Sequence, residues 1–280
     1  MMSNSSIFLV IFCLLICPSF IFCGHVFDYY TFFKKCGFNP SAVLDVGANA
    51  GHWTRGTSGI YPSAKFFMVE GNSDSPKYLQ SIGHPFEVTL IGNYTGTTTY
   101  YKQRGANLGT GNSRYKENSV HFSDAIVVQA PITTIDELVS RRNLGPFQLL
   151  KLDIQGGEVD AIRGAYKVLE SVEVIQTECS FVAYNKDAPS FYELHSLLHS
   201  LGFEFYGIIE VLSTHIMPIQ FDGVFVRRTS KLWGPECTTL SPQPDHPDPH
   251  SRSPPVLPRG PHGAGMHPRH PRHPGGPPGY

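Results

Sequence analysis

Short apolar runs alternate with amphipathic stretches along most of this chain. Residues 41–46 are apolar toward both sides, as in a strand buried within a parallel sheet. Residues 65–70, 86–91, 148–153 and 172–178 read the same way, giving a second, a third and two later strands. Residues 97–103 alternate like an exposed strand, and residues 203–209 and 221–227 read as a closing strand pair. Between these runs the period changes to that of a helix. Residues 25–35 carry Phe27, Tyr30 and Phe33 on a short helix. Residues 51–60 form the next, weakened by Gly56 and Gly59. The box Thr134-x-x-Glu137 opens a helix that Gly145 closes. Val159, Ile162, Tyr166 and Leu169 mark one face of another helix. Phe191, Leu194, Leu198 and Leu201 mark the last, with Pro189 near its start and Gly202 beyond its end. Strands alternating with helices predict an α/β, Rossmann-like fold: a mostly parallel sheet, helices on both faces, ligands at the carboxyl ends of the strands.

Three segments fall outside that rhythm. Residues 105–122 are polar, glycine-rich and without period, the character of a lid or binding loop. Residues 7–22 carry no charge and are interrupted only by Pro18 and Ser19. The run is short of the roughly 20 residues of a spanning helix, so residues 1–23 read as a signal peptide, with a signal anchor as the alternative. Residues 234–280 are rich in proline, histidine and glycine and have little to bury, which predicts a disordered tail. The folded domain is then residues 25–233.

Charge and cysteine content narrow the classes. Lysine plus arginine is 22 against 23 for aspartate plus glutamate, which argues against nucleic acid held by a broad basic surface. Of six cysteines, Cys13, Cys17 and Cys23 belong to the leader. Cys36, Cys179 and Cys237 remain, an odd number without metal-like spacing, so no disulfide framework and no metal site is expected.

The chemistry concentrates after the first strand. "AVLDVGANAGHWT", from residue 42 to 54, follows Asp45 with Gly47, Asn49 and Gly51, a turn almost stripped of side chains at the start of a helix. Such a turn admits a ligand to backbone N–H groups and to the positive helix end. Its D-x-G-x-x-x-G spacing is not the G-x-G-x-x-G of many dinucleotide sites. Glu70 ends the second strand, where a carboxylate can accept both hydroxyls of a ribose. Asp45, the turn and Glu70 together suit an adenosine ligand lacking a diphosphate, such as S-adenosylmethionine.

"VLDVGANAGHWT", "FFMVEGN", "ITTIDEL", "LLKLDIQGGEVDAIRGA" and "VIQTE" resemble the successive blocks of the FkbM-type S-adenosylmethionine-dependent methyltransferases, over about residues 40–230. The ordered set, above all the fourth block, carries the resemblance. It implies a seven-stranded methyltransferase sheet and O-methylation, often of a sugar or other secondary hydroxyl. Asp45, Gly47, Asn49 and Gly51 match the cofactor turn, and Glu70 the ribose carboxylate. Lys151, Asp153, Gly156 and Glu158 match the later block. Gln155 stands where the family usually has glutamate, and Gly71 where it usually has proline.

Asp153 and Glu178 end two strands on the cofactor edge, so they are the candidates for positioning the acceptor or removing its proton. Against this, Asp153 could cap a helix and Glu178 could pair with Lys151. His195 and His199 read as a solvated helix edge, and His52 and His121 lie beside the turn and in the long loop. The expectation is a methyltransferase acting on a small-molecule or glycan acceptor, in contact with a membrane only if the leader is retained. The rivals are an inactive binding module of the same fold, favoured by Gln155 and the glycine-rich helix, and an NAD-type oxidoreductase. The leader points to the secretory pathway, although Lys34 and Lys35 favour a cytosolic domain if it acts as an anchor. Asn93-Tyr94-Thr95 is a sequon that reports on the choice.

Overall fold

The computed structural model describes residues 25–240, apart from 107, 183, 214 and 215. The leader and residues 241–280 lie outside the described residues. Strands β1 (Ala42–Val46), β2 (Lys65–Glu70), β3 (Phe86–Val88), β7 (Leu149–Leu152), β8 (Val174–Ser180), β9 (Phe203–Ser213) and β10 (Pro218–Arg227) form a seven-stranded sheet in the order β3-β2-β1-β7-β8-β10-β9. β10 runs antiparallel to both neighbours, and the remaining pairs are parallel. This is the expected mostly parallel, Rossmann-like sheet with a closing antiparallel strand.

The strands at its centre are apolar toward both sides because both faces are covered. Val43, Phe66, Leu149 and Val174 pack with Tyr30, Phe33 and Tyr61 of the N-terminal half, where α1 (His25–Lys35) and α2 (His52–Ile60) lie. Leu44, Leu150, Ile175 and Phe225 pack on the other face with Leu138 of α4 (Ile135–Arg142), Ile162 of α5 (Glu158–Arg163), Leu169 of α6 (Tyr166–Leu169) and Leu198 of α7 (Phe191–Ser200). Gly56 has a packing reason: a Cβ there would stand 2.1 Å from the ring of Phe27. Gly56 is thus in part the means by which α1 approaches α2, whereas nothing lies within 4 Å of a Cβ at Gly59. A short α3 (Pro76–Leu79) follows β2.

The structure corrects several element readings. Residues 86–91 are not one strand. Phe86–Val88 pairs with β2, and β4 (Leu90–Ile91) crosses to a second sheet, order β4-β6-β5, with β5 (Gly96–Lys102) and β6 (Ile126–Thr133). Buried Thr89 joins the two: its N–H donates to the Glu70 carbonyl at 3.0 Å, and its hydroxyl reaches the Pro131 carbonyl at 3.3 Å. Strand β6 was not anticipated, because Pro131 interrupts the run and its first half is largely exposed. Thr134 caps α4 as expected, accepting from the Glu137 amide at 3.1 Å, but Asn143 in the left-handed conformation closes the helix instead of Gly145. The helix expected across residues 159–169 is two, broken at Gly164, where a Cβ would meet the Gly92 carbonyl oxygen at 2.3 Å. Tyr166 accordingly turns to solvent.

Order does not stop at Trp233. Helix α8 (Pro235–Leu240) follows, and Cys237 is joined to Cys36 at the end of α1 by a disulfide. The odd cysteine is Cys179, buried in the core, so the two partners are separated by 201 positions and share no local motif. Among the described residues no helix is long and apolar enough to cross a membrane.

Candidate active site

A cleft of about 380 Å³ opens at the carboxyl ends of β1, β2, β7 and β8. The turn after β1 forms its floor. Gly47 takes φ +84°, and a Cβ there would lie 1.8 Å from the Asp153 carbonyl oxygen, so only glycine fits where β1 meets β7. Its amide and that of Ala48 both donate to the Val69 carbonyl, at 2.8 and 3.0 Å. Gly51, at φ +77°, caps α2 and lies against Ile82. The turn is stripped of side chains mainly because the protein packs so closely around it.

Glu70 closes this half. One carboxylate oxygen accepts from the Asn49 amide and the other from the Asn72 amide, each at 2.7 Å. Burial raises its pKa, opposed by those two amides and by Lys151. Asp45 is fully buried behind the turn. It accepts from the Thr54 hydroxyl at 2.6 Å, which ties α2 to β1, and its other oxygen stands 3.4 Å from the Lys151 ammonium. Lys151 donates to the Gly47 carbonyl at 2.8 Å and lies 3.3 Å from Asp153. Burial would lower the lysine pKa, but Asp153, Asp45 and Asp222 outweigh it and hold the ammonium charged.

The opposite wall is built on the ends of β7 and β8. Gln155 sits in the left-handed region, at φ +56°. Its side-chain amide donates to Asp153 Oδ1 and to Glu178 Oε1, 3.0 Å each, and so joins the two candidate carboxyls. Glu178 Oε2 is buried and has no hydrogen-bond partner among the described residues. Burial and the charges of Asp153, Glu158 and Asp222 push the Glu178 pKa well above the usual carboxylate range, against the pull of Gln155. Glu158, in the first turn of α5, accepts from the Ile154 amide at 2.9 Å, and burial raises its pKa to about 7. Asp222 accepts from Gln176 at 2.7 Å and is raised to about 6, again chiefly by burial.

Gly109, Thr110, Asn112, Ser113 and Arg114 also line the cleft, and their segment is tied down at several points. Ser113 pairs with Tyr101 through both backbone groups, and its hydroxyl donates to the Gln155 carbonyl at 2.8 Å. Arg114 lines the cleft and donates to Asp160 of α5 at 2.6 Å, where the Tyr115 hydroxyl also binds at 2.8 Å.

Gly47, Asn49, Glu70, Asp153 and Glu178 therefore share one cleft, whereas Asp45 and Gly51 stand behind its wall and act through the turn. Sequence reading passed over Gln155 as a donor, Arg114, and Gln176, which takes the Trp53 indole N–H at 2.9 Å and the Tyr30 hydroxyl. Trp53 lines the cleft and Gln176 is buried, so the signal was a glutamine in the middle of a buried strand. His52 lines the cleft, His121 is exposed, and His195 and His199 stack on α7. Among the described residues no three His, Cys, Asp or Glu side chains are grouped to hold a metal ion.

This sheet order, with a glycine turn after β1 and a carboxylate ending β2, is that of the methyltransferase fold. The FkbM methyltransferase domain model matches residues 45–205, and the chain belongs to that family. No curated protein matches the sequence. Among solved structures, the plantazolicin methyltransferase BamL is 10% identical, with 72% of this chain and 83% of that chain covered and a TM-score of 0.43. The magnesium protoporphyrin IX methyltransferase of Synechocystis PCC 6803 is 9% identical, covering 72% and 76%, with a TM-score of 0.41. The precorrin-6y C5,15-methyltransferase of Geobacter metallireducens GS-15 is 8% identical, covering 72% and 88%, with a TM-score of 0.40. Nothing about the substrate follows from likenesses this remote.

The cofactor is S-adenosylmethionine, and the donor set fits it. Glu70 would hold the ribose hydroxyls with its remaining lone pairs, Leu90 and Ile91 line the cleft beside it as an apolar surface, and Gly47 to Asn49 would bring backbone close to the cofactor.

Proposed function

We propose that the protein transfers a methyl group to a hydroxyl oxygen of a sugar, glycan or other small molecule. The observation that carries this reading is the pair Asp153 and Glu178, joined through Gln155 on the wall facing the cofactor turn. The bound cofactor supplies an already activated methyl group. The protein has to align the acceptor oxygen and take its proton. Asp153 is the base: it is partly exposed to the cleft, and Lys151 and Gln155 hold its two oxygens. Glu178 is the complement: burial pushes its pKa up, Gln155 holds one of its oxygens, and the other has no partner among the described residues, which leaves it to meet the same acceptor oxygen. A hydroxyl both gives and accepts a hydrogen bond and satisfies both groups. A carboxylate acceptor would be repelled by Asp153, and polyanions such as nucleic acid are disfavoured by the acidic surroundings of Glu158 and Asp222.

The test is methyl transfer from labelled cofactor to a panel of glycans and small alcohols. Asp153→Asn should depress the rate by about 10²–10⁴-fold and leave cofactor affinity near normal. A near-normal rate would return Asp153 to a structural role. Cofactor binding without turnover on any acceptor would favour a binding module of this fold.

A further inference from the structure

We propose that Asn93 is an N-glycosylation site at the rim of the acceptor cleft, on a protein that matures in an oxidising secretory compartment. Three independent observations meet here. First, the Cys36–Cys237 disulfide needs an oxidising environment to form and persist, and the remaining free cysteine among the described residues, Cys179, is buried at 1% exposure, leaving no accessible thiol there to be scavenged. Second, Asn93-Tyr94-Thr95 lies in the tight turn between β4 and β5, and all three residues are exposed. Third, the Asn93 amide is held in a way that tolerates the modification. Its Nδ2 donates one hydrogen to Asp160 Oδ1 at 3.1 Å. A primary amide has two, so the second can be replaced by a sugar without breaking that bond.

The transfer balances with a polyprenyl-diphosphate oligosaccharide as donor. The sugar C1–O bond to the diphosphate breaks, a C1–N bond to Asn93 Nδ2 forms, and the displaced amide proton leaves with the diphosphate. Asp160 also binds Arg114, a residue of the cleft wall, so one carboxylate links the glycan's attachment point to the acceptor side. A glycan on Asn93 would therefore stand near the Arg114 side of the cleft. The apolar run of residues 7–22 supplies the sequence feature that directs the chain to this compartment.

The full chain is expressed in eukaryotic cells, and its intact mass is measured before and after peptide-N-glycosidase, with a non-reducing peptide map. The expected result is a glycosidase-sensitive mass on the wild type and on Thr95→Ser, absent from Asn93→Gln and from Thr95→Ala, with Cys36 and Cys237 in one linked peptide. Thr95→Ala leaves the Asn93–Asp160 bond in place, so it separates loss of the sequon from loss of that contact. Folded, disulfide-linked protein with unmodified Asn93 would overturn the glycan site. Cytosolic protein that keeps Met1, with Cys36 and Cys237 reduced, would overturn the whole proposal.

Discussion

The two halves of the cleft are built on opposite principles. On the cofactor side, most polar groups are already committed. Both Glu70 oxygens carry an amide, Asp45 carries Thr54 and faces Lys151, and the first two turn amides share the Val69 carbonyl. On the opposite wall, where we propose that the acceptor binds, Asp153, Glu158, Glu178 and Asp222 crowd together, one glutamine amide serves two of them, and Glu178 Oε2 has no partner among the described residues. The first half holds its shape by itself. The second gathers several carboxyls around one shared donor, an arrangement that costs stability.

Removing the cation that serves the cofactor half should do the most damage. Lys151→Met leaves Asp45 buried without its counter-charge, and denaturant unfolding should show a loss of about 3–5 kcal/mol. Asp45→Asn added to that variant should recover part of the loss. If Lys151→Met unfolds like the wild type, the committed half is not held by this pair. Next in size is Glu70→Ala, which should weaken S-adenosylmethionine binding in calorimetry by about 1.5–3 kcal/mol, tenfold or more, with the fold intact. Unchanged affinity would remove Glu70 from the ribose site.

The smallest effect belongs to the acceptor half and appears as a pH dependence. Glu158 and Asp222 are raised from 4.5 and 3.8 to about 7 and about 6. A raised carboxyl keeps in the folded state a proton that the unfolded chain has already released. Its contribution is therefore complete below the unfolded value and fades as pH rises through the folded one. Stability should fall as pH rises from 5 to 8, and Glu158→Gln should flatten that slope. A profile that rises over this range, or one that Glu158→Gln leaves unchanged, would show that the crowding is relieved in solution.

The same contrast sets what was legible in the sequence. Lys65–Glu70 was found to the residue because a strand covered on both faces is apolar throughout. The turn, Glu70 and Asp153 were legible because each stands at the end of such a strand, and Glu178 because it lies close to the end of one, although β8 runs on to Ser180 rather than stopping at Glu178. The break at Thr89 and strand β6 were not, since their pairing depends on a second sheet and leaves no local period. The role of Gln155 was hidden as well. Against the family pattern it read as a lost carboxylate, whereas its amide gives two carboxyls a common donor that glutamate could not supply. Asp160 gave no signal, because its partners Asn93, Arg114 and Tyr115 come from distant stretches of chain.

The bond between Cys36 and Cys237 also changes how the molecule bears force. The 201 positions it spans, with the whole sheet and cleft among them, form a covalently closed loop. A pull applied between the two ends of the chain runs from residue 36 straight across the sulfur bridge to residue 237. The cleft lies outside that line of tension, so a chain tethered at one end and tugged at the other can keep its active site at rest. A single cut within the loop would likewise leave both fragments joined until the bridge is reduced.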